Sequence, residues 1–291
     1  MSLHNVEIPN PQPPSHTSAQ PILLIGEALH GVKEFGQYKL DLIKQYFTQG
    51  KQFAVGFEAD ELGFASLLDS QHVDELLLAF PKIFRTQEIA NILLFCLANN
   101  IPMFGFDSRI RIPEHKMSPK LTEQAAYYHH IYNTYFGTSE YYAMRDQLMA
   151  QAIERNLKHH ATQLLCLTHN LHIRKNGSQE SQSTIKLKSI REHLDDSNIK
   201  SKSVALVAHH GDYLTIDLTP ANFTVTDPNA IEALSVPNKI TSFYPLDHQA
   251  KKHCYLLGTI KESSPIKESY DQVVLFHQVH QPQIIEPLTL L

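Results

Sequence analysis

The segment from Pro21 to Gly31, PILLIGEALHG, decides the fold. Its first six residues form a short apolar run that ends at Gly26, which predicts a strand buried on both faces. Residues 34–49 then carry apolar side chains at helical spacing, and Gly50 closes that pattern. A buried strand followed directly by an amphipathic helix is the first half of a βαβ unit, from which parallel sheets are built.

The same alternation continues along the chain. We predict further strands at residues 53–57, 101–106, 163–167, 203–208, 213–218, 254–257 and 272–276. We predict helices within residues 61–99, interrupted around Pro81 and with an N-cap at Thr86, and at residues 139–159 and 185–194. The expected fold is therefore α/β, with a mainly parallel central sheet flanked by helices.

Three connecting segments have a different composition. Residues 121–136 are rich in aromatic side chains, and residues 175–183 are rich in Ser, Gln and Gly, which predicts an exposed loop. Residues 225–252 are rich in Pro, Asn and Asp with weak periodicity, and we expect them to cover one edge of the sheet.

Bulk composition is that of a globular protein. Apolar residues make up 42% and charged residues 19% of the 291 positions, so we expect one α/β domain over residues 21–291. Residues 1–20 contain four prolines and are expected to form a flexible arm. The net charge of -5 gives no positive field for nucleic acid or anionic lipid, so neither partner is expected.

Membrane spans and disulfides are not expected either. No apolar run approaches the roughly 20 residues that a membrane-spanning helix requires. The three cysteines, Cys96, Cys166 and Cys254, lie in apolar contexts without a CxxC pair. The odd number of cysteines without a CxxC pair favours a reducing compartment, and we predict a cytoplasmic protein of unspecified oligomeric state.

Polar residues follow each of the first four buried strands along the predicted sheet. Any one of them alone is simply explained as a solvated loop residue. In a parallel sheet, however, the carboxyl ends of the strands meet at one edge, where ligands bind. The residues delivered to this edge are Glu27, His30, Glu58, Asp60, Asp107, Arg109, His169, Asn170 and His172.

Two of these motifs and one helix contain further signals. The glycines that flank GEALHG permit tight turns, so Glu27 and His30 can lie on one side of a short loop. In THNLH the two histidines are three residues apart and share a face if the segment is helical. In MRDQLMA, Arg145 and Asp146 are either a solvated pair or an anion-holding group over the site.

These motifs, taken in order, resemble the erythromycin esterase family, which includes succinoglycan-biosynthesis-like proteins. The resemblance rests on GEALHGVKEF, GFEAD, FGFD, MRDQLMA and THNLH, from about Ile22 to Ala208, and on SYDQVVLF at 269–276. It implies an active site at Glu27, His30, Glu58, His169 and His172, with His30 as the general base that activates water. Lys39 lies where family members tend to carry Arg. The family is distantly similar to ChaN-like haem-binding proteins and metal-dependent Tiki proteases.

The spacing of the motifs bears on the substrate that the resemblance implies. Family macrolide esterases have a sizeable helical insertion after the GFD strand, whereas only about 38 positions separate Asp107 from Arg145 here. We therefore expect a reduced helical lid and a small ester, lactone or amide as substrate. The residues predicted to bind it are Lys39, Asp60, Asp107, Arg109, Asn170 and Asp146.

Direct attack by water is the favoured chemistry. Imidazole is a suitable base at neutral pH, and Glu27 or Glu58 can orient His30. His172 or Arg145 can then stabilise the oxyanion. No Ser or Cys lies in a GxSxG motif, so an acyl-enzyme is disfavoured, with Ser108 as a minor candidate.

Three alternatives stay open at this stage. No cofactor is expected, but Glu27, His30, Glu58 and His172 are also a reasonable ligand set for zinc or manganese. The segment FHQVHQP at 276–282 makes a haem- or metal-binding protein without turnover a second hypothesis. The third is that the site is vestigial.

Overall fold

A computed structural model describes residues 21–113, 115, 117, 119–160, 163–180, 187–249, 252–256 and 260–286. The expected arm at residues 1–20 lies outside the described residues. Within them, no helix combines the length and the apolar character needed to cross a membrane.

The centre of the fold is an eight-stranded sheet in the order β3-β2-β4-β1-β5-β10-β7, with β6 paired to β5, and β8 and β9 form a separate hairpin. The strands are β1 (Ile22–Glu27), β2 (Phe53–Asp60), β3 (Met103–Asp107), β4 (Gln163–His169), β5 (Ser201–Leu214), β6 (Pro220–Thr224), β7 (Thr241–Phe243), β8 (Tyr255–Leu256), β9 (Ile260–Lys261) and β10 (Gln272–Val279). Neighbours from β3 to β10 are parallel, and β6 and β7 pair antiparallel. The predicted α/β fold is confirmed.

Helices cover both faces of the sheet. They are α1 (Lys33–Thr48), α2 (Glu61–Leu67), α3 (Val73–Leu76), α4 (Gln87–Ala98), α5 (Thr122–Tyr135), α6 (Ser139–His160), α7 (Ile190–Asp196) and α8 (Ile266–Ser269). Apolar side chains of α1 and α4 pack on one face, and those of α6 and α7 pack on the other. Burial of both faces explains why the parallel strands are almost continuously apolar.

Strand β1 lies in the middle of the sheet and sets the position of the site. All six of its residues are buried. Its last residue, Glu27, is in register with His169 at the end of β4 and with Leu206 of β5. The end of β2 lies beside that of β3, where Asp60 is paired with Asp107. The polar residues that close these four strands therefore reach one edge of the sheet.

Several strands run further than the apolar pattern predicts. The polar residues Glu58, Asp60 and His169 belong to strand ends and not to the loops that follow. The strand predicted at residues 213–218 is wrong, because β5 continues only to Leu214. A turn with Leu218 at φ +60° then leads into β6. Apolar periodicity misses these ends because their polar side chains are stabilised by tertiary contacts.

The segment after β4 also departs from expectation. Its composition predicts an exposed loop at residues 175–183, but Gly177 and Glu180 are buried, and residues 181–183 lie outside the described part. Glu180 accepts a hydrogen bond from the backbone N–H of Ser263 at 2.8 Å, so this polar sequence packs against the late part of the chain. The predicted helix at 185–194 begins only at Ile190, where Ser189 and Glu192 form a capping box.

The predictions for two other features are confirmed. Thr86 is the N-cap of α4 and accepts a hydrogen bond from the N–H of Ile89 at 3.3 Å. Within residues 225–252, strand β7 pairs with β10 and so covers one edge of the sheet.

Candidate active site

The first part of the site is formed by the loop after β1 and the helix that follows it. Glu27 is 5% exposed. One of its carboxylate oxygens lies 3.0 Å from Nδ1 of His30, and the other accepts a hydrogen bond from the buried ammonium of Lys39 on α1. Burial alone would raise the pKa of Glu27, but Lys39 and His30 together hold it below its ordinary value.

His30 is the most accessible of the predicted catalytic groups that lie at the strand ends. Its side chain is 23% exposed, and its ring packs against Phe84 at 4.5 Å and His169 at 4.7 Å between ring centroids. Because ionised Glu27 accepts the Nδ1 proton, neutral His30 carries its lone pair on Nε2. Among the described residues, Nε2 has no hydrogen-bond partner.

His169 has its protonation state fixed by the backbone around it. Its Nδ1 accepts a hydrogen bond from the N–H of Leu171 at 3.1 Å, and its Nε2 donates to the carbonyl of Ala28 at 3.2 Å. Burial, together with the neighbouring His30 and His172, places its pKa well below the ordinary value. His169 is therefore neutral. Its two ring nitrogens hold the loops after β1 and β4 in place.

Glu58, at the end of β2, joins the remaining groups. One oxygen accepts hydrogen bonds from the hydroxyl of Thr168 at 2.7 Å and the N–H of His169 at 3.2 Å. The other accepts from Nη2 of Arg145 at 2.7 Å and lies 3.5 Å from Nε2 of His172. Burial would raise the pKa of Glu58, but His172 and Arg145 hold it well below the usual range.

Arg145 of α6 spans two carboxylates. Its Nε and Nη2 donate to Asp107 at 2.9 and 3.0 Å, a bidentate arrangement, while Nη2 also reaches Glu58. Asp107 is fully buried and also accepts from Arg111 at 3.1 Å. Of the two interpretations of Arg145 and Asp146, the solvated pair is wrong, because both side chains point into the protein.

His172 is held in the opposite state to His169. Its Nδ1 lies 2.8 Å from the buried carboxylate of Asp146, and its Nε2 faces Glu58 and Arg145. Burial would lower the pKa of His172, but Asp146 and Glu58 raise it to about 9. The two carboxylates therefore favour the imidazolium form of His172.

Three predicted substrate-binding residues are used for other contacts. Asp60 is fully buried, and its oxygens accept from the N–H groups of Leu62, Gly63, Arg111 and Ile112, so it caps α2 and holds the loop after β3. Asn170 is buried and donates to the carbonyl of Leu206 at 3.2 Å. Arg109 donates to the hydroxyl of Tyr132 at 3.2 Å and lies over the rings of Tyr132 and Phe136, next to the edge.

The structure also adds residues that the sequence did not single out. Thr168 and Arg111 complete the hydrogen bonding of Glu58 and Asp107, and Phe84 forms one wall against His30. Thr168 is part of the quoted THNLH motif, and Arg111 follows the predicted Arg109 by two positions. Phe84 lies in a 3-10 turn before α4, and its local sequence has no feature that points to the site.

Charges within the site are balanced by protein groups. The four carboxylates of Glu27, Glu58, Asp107 and Asp146 face four cationic groups, Lys39, Arg145, Arg111 and His172. No excess of negative charge therefore favours a divalent cation here. Within the described part of the chain, Glu27, His30, Glu58 and His172 do not converge as a ligand group.

The fold is shared with known proteins at low sequence identity. A succinoglycan biosynthesis protein superposes with a TM-score of 0.70 at 13% identity over 91% of this chain and 90% of that chain. A Bacillus cereus protein gives 0.69 at 12% identity over 91% and 90%. A mutant erythromycin esterase in its open conformation gives 0.66 at 12% identity over 92% and 93%.

No protein-family model matches the sequence, and no curated protein is detectably similar to it in sequence. The resemblance expected from the ordered motifs is confirmed at the level of the fold by the three structures above.

Proposed function

We propose that this protein is a hydrolase that cleaves an ester or lactone bond, or an amide, in a small molecule by attack of water that His30 activates. The observation that carries the proposal is the state of His30. Its Nδ1 is bound to Glu27, and its Nε2 is unpartnered within the described residues on a partly exposed ring. A neutral imidazole held in this way is arranged as a general base.

The remaining groups supply the other requirements of hydrolysis. Nε2 of His30 takes a proton from water as the water oxygen bonds to the carbonyl carbon. The positive charge that Arg145 and His172 place at this edge is the candidate to stabilise the oxyanion through its electrostatic field, because the ring nitrogens of His172 already face Asp146, Glu58 and Arg145. When the carbon–oxygen bond of the leaving alcohol breaks, His30 returns its proton to that oxygen, which yields an alcohol and a carboxylic acid.

An acyl-enzyme route has less support. Ser108 follows β3 and is buried, and within the described part it forms no hydrogen bond with a histidine. The three cysteine side chains are buried, and burial raises the pKa of Cys96 to about 12. A nucleophile needs a nearby base and access to the substrate, and His30 meets these conditions for water.

The size of the substrate is proposed from the segment between β3 and Arg145. Among the described residues of this segment, the one long helix before α6 is α5. Its Tyr132 contacts Arg109, and its Tyr128 donates to Glu61 at 2.6 Å. A single helix packed beside the edge supports a small acyl substrate and not a large macrolide.

A substrate screen tests the proposal directly. We expect purified protein to hydrolyse at least one member of a panel of small esters, lactones and amides, with product formation followed by pH change and mass spectrometry. The activity should persist after exhaustive chelation and disappear in His30→Ala. Equal turnover by wild type and His30→Ala would contradict the proposal, and activity that requires added divalent ions would favour the metal-dependent alternative.

A further inference from the structure

Three histidines form a second cluster on β5 and β10, outside the site described above. One ring nitrogen from each of His209, His210 and His277 lies within 4.8 Å of the corresponding atoms of the other two. The rings of His209 and His277 are stacked at 5.5 Å, and the ring of His210 meets that of His277 edge-on at 4.8 Å. Nδ1 of His209 and Nδ1 of His210 are 3.1 Å apart.

The parallel pairing of β5 and β10 brings these residues to the same level of the sheet. Phe276 is in register with Ala208, and Gln278 with His210, so His277 lies beside the two adjacent histidines. At Gly211, with φ +149°, a Cβ atom would lie 2.0 Å from the carbonyl oxygen of Val279. A glycine is therefore needed where the two strands approach each other closely. The paired backbones of β5 and β10 hold the three histidines in place.

A neighbouring group binds one ring nitrogen of His277. Its Nδ1 lies 3.0 Å from the hydroxyl of Ser235. Histidines that ligate metals usually bond their second nitrogen to such a group, which fixes the orientation of the ring. Ser235 holds His277 in the same way.

Charge distinguishes this cluster from other histidines of the chain. His30, His172, His253 and His280 each pair with a carboxylate. Within the described residues, His209, His210 and His277 form no such pair and face one another instead. Three imidazole rings that face one another without a carboxylate partner offer ring nitrogens to a metal ion.

We propose that His209, His210 and His277 bind a divalent transition-metal ion, of which zinc is the first choice, with the remaining position open to water. Imidazole nitrogens suit zinc, copper and nickel, whereas calcium and magnesium require oxygen ligands. In a tetrahedral zinc site with bonds of about 2.0–2.1 Å, ligand nitrogens lie roughly 3.4 Å apart, so shifts of about 1 Å in the rings complete the geometry.

Zinc binding to full-length, tag-free protein tests this site. We expect one Zn²⁺ per chain in competition with a chromogenic chelator, and a visible absorption band when Co²⁺ replaces zinc. His277→Ala should weaken Zn²⁺ binding by about 100-fold or more. Ser235→Ala, which keeps all three ligands, should weaken it by about 10- to 100-fold, as loss of an outer-shell partner does elsewhere.

Two controls separate this site from other histidines. The double variant His159→Ala with His160→Ala removes an adjacent pair on α6 whose rings are 4.7 Å apart, and it should leave the affinity unchanged. His30→Ala should also leave it unchanged. The proposal is overturned if circular dichroism shows folded His277→Ala and Ser235→Ala that bind Zn²⁺ as wild type does, or if only His30→Ala loses binding. Failure of the hydrolase proposal would not alter either result.

Discussion

Two histidine–carboxylate pairs stand at the same edge of the sheet, and they differ in what meets the second ring nitrogen. Nδ1 of His30 is 3.0 Å from Glu27, and Nδ1 of His172 is 2.8 Å from Asp146. The side chain of His30 is 23% exposed and its Nε2 is unpartnered among the described residues, whereas that of His172 is 6% exposed and faces Glu58 and Arg145. A histidine–carboxylate pair thus leaves a ring nitrogen available in the first case, as the proposed base requires, and favours a cation in the second.

The difference between the pairs lies in their surroundings. Lys39 neutralises Glu27, so the carboxylate that orients His30 is already compensated. Next to His172, two carboxylates outweigh burial and raise its pKa to about 9. The second pair also belongs to a buried network with Arg145 and Asp107, so removal of one partner from this network should destabilise the protein.

The largest effect on activity is expected from the loss of His30, the proposed general base. We expect His30→Gln to lower kcat/KM for a substrate found in the screen by about 10²- to 10⁴-fold, which is the usual contribution of a general base. The free energy of unfolding should change by less than about 1 kcal/mol, because the side chain is partly exposed.

The matched control is His72→Gln, an exposed histidine before α3, which should retain full activity. Comparable activity in His30→Gln and wild type would remove the distinction between the two pairs.

Removal of Arg145 tests the buried half of the site. Arg145→Met leaves Asp107 and Glu58 without their shared cation, and breaking a buried ion pair costs about 3–5 kcal/mol. We expect a loss of that size in the free energy of unfolding in urea, together with loss of activity.

Arg155→Met is the control for Arg145→Met. The side chain of Arg155 is 49% exposed and pairs with Glu61, so Arg155→Met should lower the free energy of unfolding by less than about 1 kcal/mol. Equal losses in the two variants would show that Arg145 does not act as a buried ion-pair partner.

The residues at the strand ends are the part of the candidate site that could be predicted from the sequence. Glu27, Glu58, Asp107 and His169 each end a buried apolar run, so parallel topology alone predicts that they meet at one edge. The same reasoning places His30 and His172, which follow β1 and β4 within three residues.

Long-range partners cannot be derived in this way. Asp146 and His172 are 26 residues apart, and Arg145 reaches Glu58 across 87 residues, so their pairing depends on how α6 packs on the sheet. The position of Asp60 after a strand predicts a substrate-binding residue, but its four backbone hydrogen bonds depend on the loop after β3 and on α2. Patterns in a single sequence predict where a strand runs and ends, but they do not predict how a helix packs on the sheet.

The pH dependence of activity and stability tests whether His172 is the cation of the second pair. His172 has a pKa raised from 6.5 to about 9, so its contribution to stability is fully present below pH 6.5 and is lost as the pH rises through about 9. We expect kcat/KM and the free energy of unfolding to fall together over this range.

Asp146→Asn removes the charge of Asp146 and leaves an oxygen that accepts the Nδ1 proton. The pKa of His172 should therefore be lower in the variant, and its activity should begin to fall at lower pH than that of wild type. If that pKa falls by about one, the variant should be about tenfold less active than wild type once the pH exceeds both pKa values. Superimposable pH profiles for wild type and Asp146→Asn would contradict the assignment of His172 as the cation.

The smallest expected effect is that of Lys39→Arg, and its comparison with Lys39→Met separates the charge of Lys39 from its shape in the first pair. Lys39→Met leaves Glu27 buried without its ammonium partner, so the pKa of Glu27 should rise from its lowered position. The stability that ionised Glu27 contributes is lost as the pH falls, so activity in this variant should fail at higher pH on the acid side. Lys39→Arg keeps the positive charge beside Glu27 and should retain most of the wild-type kcat/KM.

Lys44→Met, an exposed lysine on the same helix, is the control and should keep the wild-type pH profile. If Lys39→Met and Lys39→Arg lose activity equally at all pH values, Lys39 acts through its shape and not through its charge on Glu27. A loss in Lys39→Met that is confined to low pH would instead show that the state of His30 depends on a carboxylate kept ionised by Lys39. That result would make the two halves of the site alike in principle, because in each a buried cation holds a carboxylate ionised beside a histidine.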